Sequence, residues 1–323
     1  MITMQMAPTA RRILEQVLGL KAGEHLVLVT DTECPPTITQ ALATMAQGLG
    51  AETVVLTQAP RPVGSVEPLR AVGAAMHAAD AIVNQASYAI VHNDTVRAAL
   101  KKGARLCDMW GFTEDMMVRG GATADYDEVK RLGERLAERL TKGREARMTT
   151  PEGTDLRVSL EGRQGYSLHG LAREPGTFSA FPDGEATASP LEGSAEGILV
   201  GPYCIEKREL GYVSERITVH VEGGNIVKTE GGPQARLLWD ILAQAGGAAF
   251  NLAEFAIGTN PKCRLGVTLR EAKKAWGTAH VGVGDSRSVG GKISGPLHFD
   301  LIFLRPTVTV DGEPLVKDGQ VVA

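Results

Sequence analysis

His25–Thr30, HLVLVT, is the stretch on which the first half of the chain is read. Five consecutive apolar or β-branched residues with no polar alternation form a short strand buried on both faces, the pattern of a parallel sheet. The segments around it repeat the theme. Upstream, Thr9–Leu18 is amphipathic at helical spacing. Downstream, the Ala-rich Pro35–Gly48 reads as a helix, Glu52–Thr57 (ETVVLT) as a strand, Val66–His77 as a helix and Ala81–Gln85 (AIVNQ) as a strand. Thr95–Lys102 is then helical, Ala104–Asp108 a strand, and Tyr126–Arg144 a long charged amphipathic helix. Strands alternating with helices make βαβ units. The expectation is an α/β N-terminal lobe with a parallel, Rossmann- or flavodoxin-like sheet. The first strand runs into Thr30–Pro36 (TDTECPP) rather than a glycine-rich turn, and no phosphate-cradling GxxxxGK[ST] occurs. Without those glycines the backbone cannot approach a pyrophosphate, so a dinucleotide site is not expected.

Near Arg147 the texture changes. Gly, Pro and Thr rise, and Thr154–Leu160, Glu215–Val221, Asn225–Thr229 and Leu301–Val310 alternate as antiparallel or mixed strands do. Pro233–Ala248 is the clearest helix of this half. The expected division is 1–146 as an α/β scaffold domain and 147–323 as an α+β metal-binding domain. A chain of 323 residues accommodates two such cores.

Composition excludes several functions. A net charge of −4 supplies no basic footprint for nucleic acid. Cys34, Cys107, Cys204 and Cys263 are far apart, with no CxxC, so reduced thiols are expected rather than disulfides or a thiolate metal site. No apolar run reaches the ~18 residues that span a bilayer, and Met1–Arg12 lacks an apolar signal core. A cytoplasmic protein with no membrane partner is the expectation.

The chemistry is carried by His298-Phe299-Asp300. In a strand, residues i and i+2 share a face, so an imidazole and a carboxylate project side by side, a common way to hold a metal ion. His280 lies in the strand-like AHVGVG (Ala279–Gly284). Glu254 interrupts the apolar LAEFAI (Leu252–Ile257), and a buried carboxylate must be paired or metal-bound. Glu185, in the turn-rich PDGEATASP (Pro182–Pro190), reads on its own as an ordinary loop acid. His25, His77, His92, His169 and His220 have no such company. No Gly-x-Ser-x-Gly elbow or Cys–His neighbourhood supports a protein nucleophile. Arg287 and Lys292, on the glycine-bearing loop before the HxD strand, are candidates for binding a substrate carboxylate.

These stretches, together with Gly153–Leu156 and Glu196-Gly197, resemble the metallo-aminopeptidases T and S. The resemblance implies two metal ions, Zn, Co or Mn, on Glu185, Glu254, His280, His298 and Asp300. It also implies a homodimer acting on a small-molecule or short-peptide amide. Glu254 would bridge the ions, which lower the pKa of a shared water, and Glu185 would be a ligand or proton shuttle. The chain departs from that family in reading Asp285–Ser288 where a catalytic tyrosine is expected. A second resemblance, to the 2,5-dihydroxypyridine 5,6-dioxygenases, rests on Ser194–Gly197, Glu215–Val221, Val289–Lys292, the HxD pair and overall length. It implies one Fe(II) on two histidines and an aspartate. Only His298 and Asp300 match, because the third position holds Glu254. A ferrous triad with two histidines would then need His280. Weighing the ligand set above the length makes a metallohydrolase the leading expectation and a ring-cleaving dioxygenase its alternative.

Overall fold

In a computed structural model, which describes residues 2–61, 66–91 and 93–323, the chain divides into two compact units. His92 lies outside the described residues. The first unit comprises 1–128 and 169–183, the second 129–168 and 184–323. The break therefore falls earlier than the composition shift near 146, and one later segment returns to the first unit. The reason is local. Leu136, Ala137 and Leu140 of the Tyr126–Lys142 helix are buried in the second unit's core, while Phe178–Ser179 extends the first unit's sheet.

That sheet is parallel throughout. Among the described residues its order is Glu52–Gln58, His25–Asp31, Ala81–Gln85, Arg105–Asp108, Phe178–Ser179. Six of the seven residues of His25–Asp31 are buried, as the unbroken apolar run requires. The helices Pro36–Gly48, Arg70–Met76 and Asp94–Lys101 supply the crossovers. Asn93 caps the last of these, its side chain accepting from Val96 N–H.

The second unit is more β-rich than an α+β reading suggests. Two antiparallel sheets enclose one core. The larger runs Asn225–Glu230, Thr218–Glu222, Glu196–Val200, Asp155–Ser159, Glu145–Thr149, Thr307–Val310, Glu313–Lys317, Gln320–Val321. The other runs Gly211–Tyr212, Cys204–Ile205, His298–Phe303, Ala279–Gly284, Leu252–Gly258, Glu185–Ala188, Tyr166–Leu168. Leu156, Val158, Leu199 and Val219 of the first meet Phe255, Val281, Leu301 and Phe303 of the second. The expected single strand Leu301–Val310 is two strands, one in each sheet. Arg305 turns the chain at φ 47, and Pro306 has no N–H to continue a ladder. No helix among the described residues is long and apolar enough to cross a membrane. None of the four cysteines is in a disulfide.

Candidate metal centre

Three neighbouring strands build the centre. Glu254 pairs with Gly282, and Gly282 with Asp300, so the three form one row across Leu252–Gly258, Ala279–Gly284 and His298–Phe303. Residues two apart share a face. His298 therefore stands beside Asp300 and His280 beside Gly282, while Glu185, opposite Gly258, joins the same face. The intervening residues Phe255, Val281, Leu301 and Phe303 point into the core, which fixes the face on which the polar set must lie. All five candidate ligands thus come together. Glu185 is not on a loop tip. It begins a fully buried strand.

Their donor atoms form two groups that share Glu254: Glu185, Glu254 and His280, and Glu254, His298 and Asp300. Within each group the atoms lie within 4.8 Å of one another. His298 Nε2 is 3.1 Å from Glu254 Oε2 and 3.3 Å from Asp300 Oδ1. His280 Nε2 is 3.1 Å from Glu185 Oε2 and 3.8 Å from Glu254 Oε1. Thr187 donates its hydroxyl hydrogen bond to Glu254 Oε1 at 2.6 Å. His298 Nδ1–H donates to the carbonyl of Asp285 at 2.7 Å, leaving Nε2 free to ligate. Asp285 orients that histidine through its backbone, while its carboxylate accepts from Arg287.

The middle position of the row must be glycine. A Cβ on Gly282 would lie 2.7 Å from Glu254 Cβ, 2.9 Å from Asp300 Oδ1 and 3.0 Å from His298 Cε1.

Two lysines escaped the sequence reading. Thr268 caps the short helix Leu269–Lys274, whose last two residues enter the carboxylate cluster. Lys273 Nζ lies 2.6 Å from Asp300 Oδ2 and 2.7 Å from Glu206 Oε2. Lys274 Nζ lies 2.5 Å from Glu185 Oε2. Lysine at a helix C-terminus is common, so only the fold marks these two. Lys273 holds one oxygen of Asp300 and leaves Oδ1 facing His298. Lys273→Met should cost about 3 kcal/mol in chelator-stripped protein, because two carboxylates lose their counter-charge. Denaturant midpoints check this, and an unchanged midpoint would show that the ammonium does not stabilise the cluster.

The electrostatics fit a cation. Burial opposes charge on every member, yet the mutual fields prevail. Desolvation would lower the His280 pKa, but Glu185 and Glu254 raise it to about 9. His298, likewise desolvated, is raised well above its usual value by Asp300 and Glu254. Burial raises the carboxyls of Glu185 and Asp300. Lys274 and His280 nonetheless hold Glu185 down at about 2, and Lys273 and His298 hold Asp300 well below the carboxylate range. Oδ1 of Asp300 is buried with no hydrogen-bond partner among the described residues, as are Oε2 of Glu185 and both ring nitrogens of His280. An unsatisfied carboxylate oxygen facing His298 is what a divalent ion satisfies, whereas the Glu185–His280 side has the Lys274 ammonium against it. The residues present therefore fit a metal.

Arg287 and Lys292 do not join the ligands. The Arg287 guanidinium donates from Nε and Nη2 to Asp285 Oδ2 at 2.9 and 2.6 Å, so its fork is engaged there. The Lys292 backbone N–H donates to Glu192. His220 pairs with Glu230 at 2.6 Å, away from the centre.

Comparison with known proteins separates the two resemblances. The family model described as 2,5-dihydroxypyridine 5,6-dioxygenase matches residues 5–323. The curated 2,5-dihydroxypyridine 5,6-dioxygenase of Pseudomonas putida KT2440 is 27% identical over 263 residues, 77% of this chain and 73% of that protein. Among solved structures, 2,5-dihydroxypyridine dioxygenase from Pseudomonas putida KT2440 superposes with a TM-score of 0.84 at 21% identity, over 99% of this chain and 98% of that one. Wild-type AmpT from Thermus thermophilus superposes with a TM-score of 0.72 at 16% identity, over 100% of both. These two superpositions establish a shared fold. The family match over nearly the whole sequence corrects the leading expectation of an aminopeptidase-like metallohydrolase. The chain belongs to the 2,5-dihydroxypyridine 5,6-dioxygenase family.

Proposed function

We propose that this protein is a ring-cleaving dioxygenase for a dihydroxypyridine-like substrate, using one Fe(II) held by Glu254, His298 and Asp300. The observation that carries the reading is the convergence of those three donors on one point in a chain matched to the dioxygenase family along its length. Three donors from two strands leave coordination positions open, as a centre that must take up both substrate and dioxygen requires. The ion, when bound, would supply Lewis acidity and redox activity toward a ring hydroxyl and dioxygen.

The protein's own groups do the rest. The Asp285 carbonyl fixes the His298 tautomer. Lys273 neutralises Asp300 Oδ2, so Asp300 would ligate through Oδ1. Glu254, His280 and Asp300 are at most 3% exposed, whereas the His298 side chain is 27% exposed. Substrate therefore approaches from the His298 side. One ring carbon–carbon bond breaks, and both atoms of dioxygen enter the product, so no external reductant is consumed. Anaerobically purified protein, reconstituted with Fe(II) and given 2,5-dihydroxypyridine under isotopically labelled dioxygen, should yield a ring-opened product carrying both labelled oxygens. A product with no label, or with one atom from water and one from dioxygen at its cleaved carbons, would contradict the reading.

A further inference from the structure

The cluster offers ligands for two ions, and an ammonium stands against each half: Lys273 on the Asp300 oxygen away from His298, Lys274 on the Glu185 oxygen nearest His280. We infer that Lys274 fills the Glu185–His280 half with its own ammonium and so limits the centre to a single divalent ion. This rests on the reading of Glu254, His298 and Asp300 as the half that holds an ion, and not on the reaction.

Position is the first argument. An ion shared by Glu185 and His280 would need the glutamate oxygen nearest the imidazole. That oxygen is Oε2, 3.1 Å from His280 Nε2. The same Oε2 is the atom that Lys274 Nζ contacts at 2.5 Å. A metal–carboxylate bond of about 2.0–2.2 Å to that oxygen would set ion and ammonium against each other. Nor is the lysine free to swing out. Its side chain is 4% exposed.

Charge is the second argument, and it is independent of the first. Glu206 and Asp300 pair with Lys273 and Glu185 with Lys274, while Glu254 acts on Lys273 through its field. Neighbouring Glu271 is paired with Arg264. Among the interactions of the described residues, four carboxylates against two ammonium groups leave two negative charges, which one divalent ion cancels with both histidines neutral. A second ion would leave the buried cluster with two positive charges in excess, a state that a low-dielectric interior strongly disfavours. Lys274 is thus a specificity-determining residue. It converts a ligand set able to serve two ions into a mononuclear one.

The test is the number of Mn(II) ions bound by chelator-stripped protein, read by calorimetry and by electron paramagnetic resonance. Wild-type protein should take one Mn(II) with an uncoupled signal. Lys274→Met should gain a second site, at least about tenfold tighter than any second event in the wild type, with a signal broadened or diminished by coupling between the two ions. Two coupled ions in the wild type, or one ion still in folded Lys274→Met, would overturn the inference. Should Lys274→Met fail to fold, Glu185→Gln decides. It should keep one Mn(II) at wild-type affinity, because Glu185 serves the lysine. Loss of that ion would make Glu185 a ligand and overturn the inference. One bound ion together with no oxygen uptake would leave this conclusion standing while defeating the proposed reaction.

Discussion

Asp300→Ala should lose its bound ion. The carboxylate is fully buried in the strand row, with Oδ1 lacking a hydrogen bond and facing His298 Nε2 and Oδ2 held by Lys273. Alanine removes a ligand and leaves Lys273 with Glu206 alone. Metal affinity should fall beyond the roughly 10–100-fold that loss of an outer-shell partner costs, and oxygen-dependent turnover should vanish with it. Asp300→Asn preserves shape and keeps a partner for Lys273, so it separates loss of the ligand charge from loss of the fold. The asparagine variant should fold like the wild type and still lose the ion, as measured by metal content after gel filtration. Full metal content in Asp300→Asn would remove Asp300 from the ligand set.

Gly282→Ala should have nearly as large an effect without altering any ligand. The added methyl would fall below contact distance to Glu254 and Asp300, and against His298. Glu254 and Asp300 come from the two flanking strands, so one carbon spreads the row. Metal affinity should drop about 10–100-fold, as when a ligand's orientation is lost. Overpacking should cost about 1–3 kcal/mol of stability. The readout is a Mn(II) titration beside a denaturation curve. Wild-type affinity in this variant would mean that the three donors do not bind as one set.

How far the sequence reveals this centre follows from where each signal lives. Period-two alternation is a local property, so His298 and Asp300 were legible as a same-face pair, and Glu254 stood out as an acid in an apolar run. Register across strands is not local. Nothing in AHVGVG says that Gly282, rather than Gly284, sits between Glu254 and Asp300. Glu185 was visible only through a resemblance, since its buried strand follows a loop-like PDG. Lys273 and Lys274 carry no signal in the sequence, and only packing of that short helix brings them to the cluster. The parallel sheet was legible because buried strands write continuous apolar runs. The returning segment 169–183 was not, because the two-residue strand it adds has no pattern of its own. The reaction was misjudged for a chemical reason. Ligand type and order describe what can hold a metal, and a shared fold hosts more than one reaction around such a set. Whole-chain similarity decided what the ligands left open.

The central claim is that this metal centre activates dioxygen. Its most direct test is an oxygen-electrode measurement on protein stripped and reloaded anaerobically with Fe(II) or with Zn(II), with 2,5-dihydroxypyridine as substrate. The account predicts one dioxygen consumed per substrate with Fe(II) and none with Zn(II). No uptake with Fe(II), alongside hydrolysis of a leucyl amide by the Zn(II) form, would contradict it.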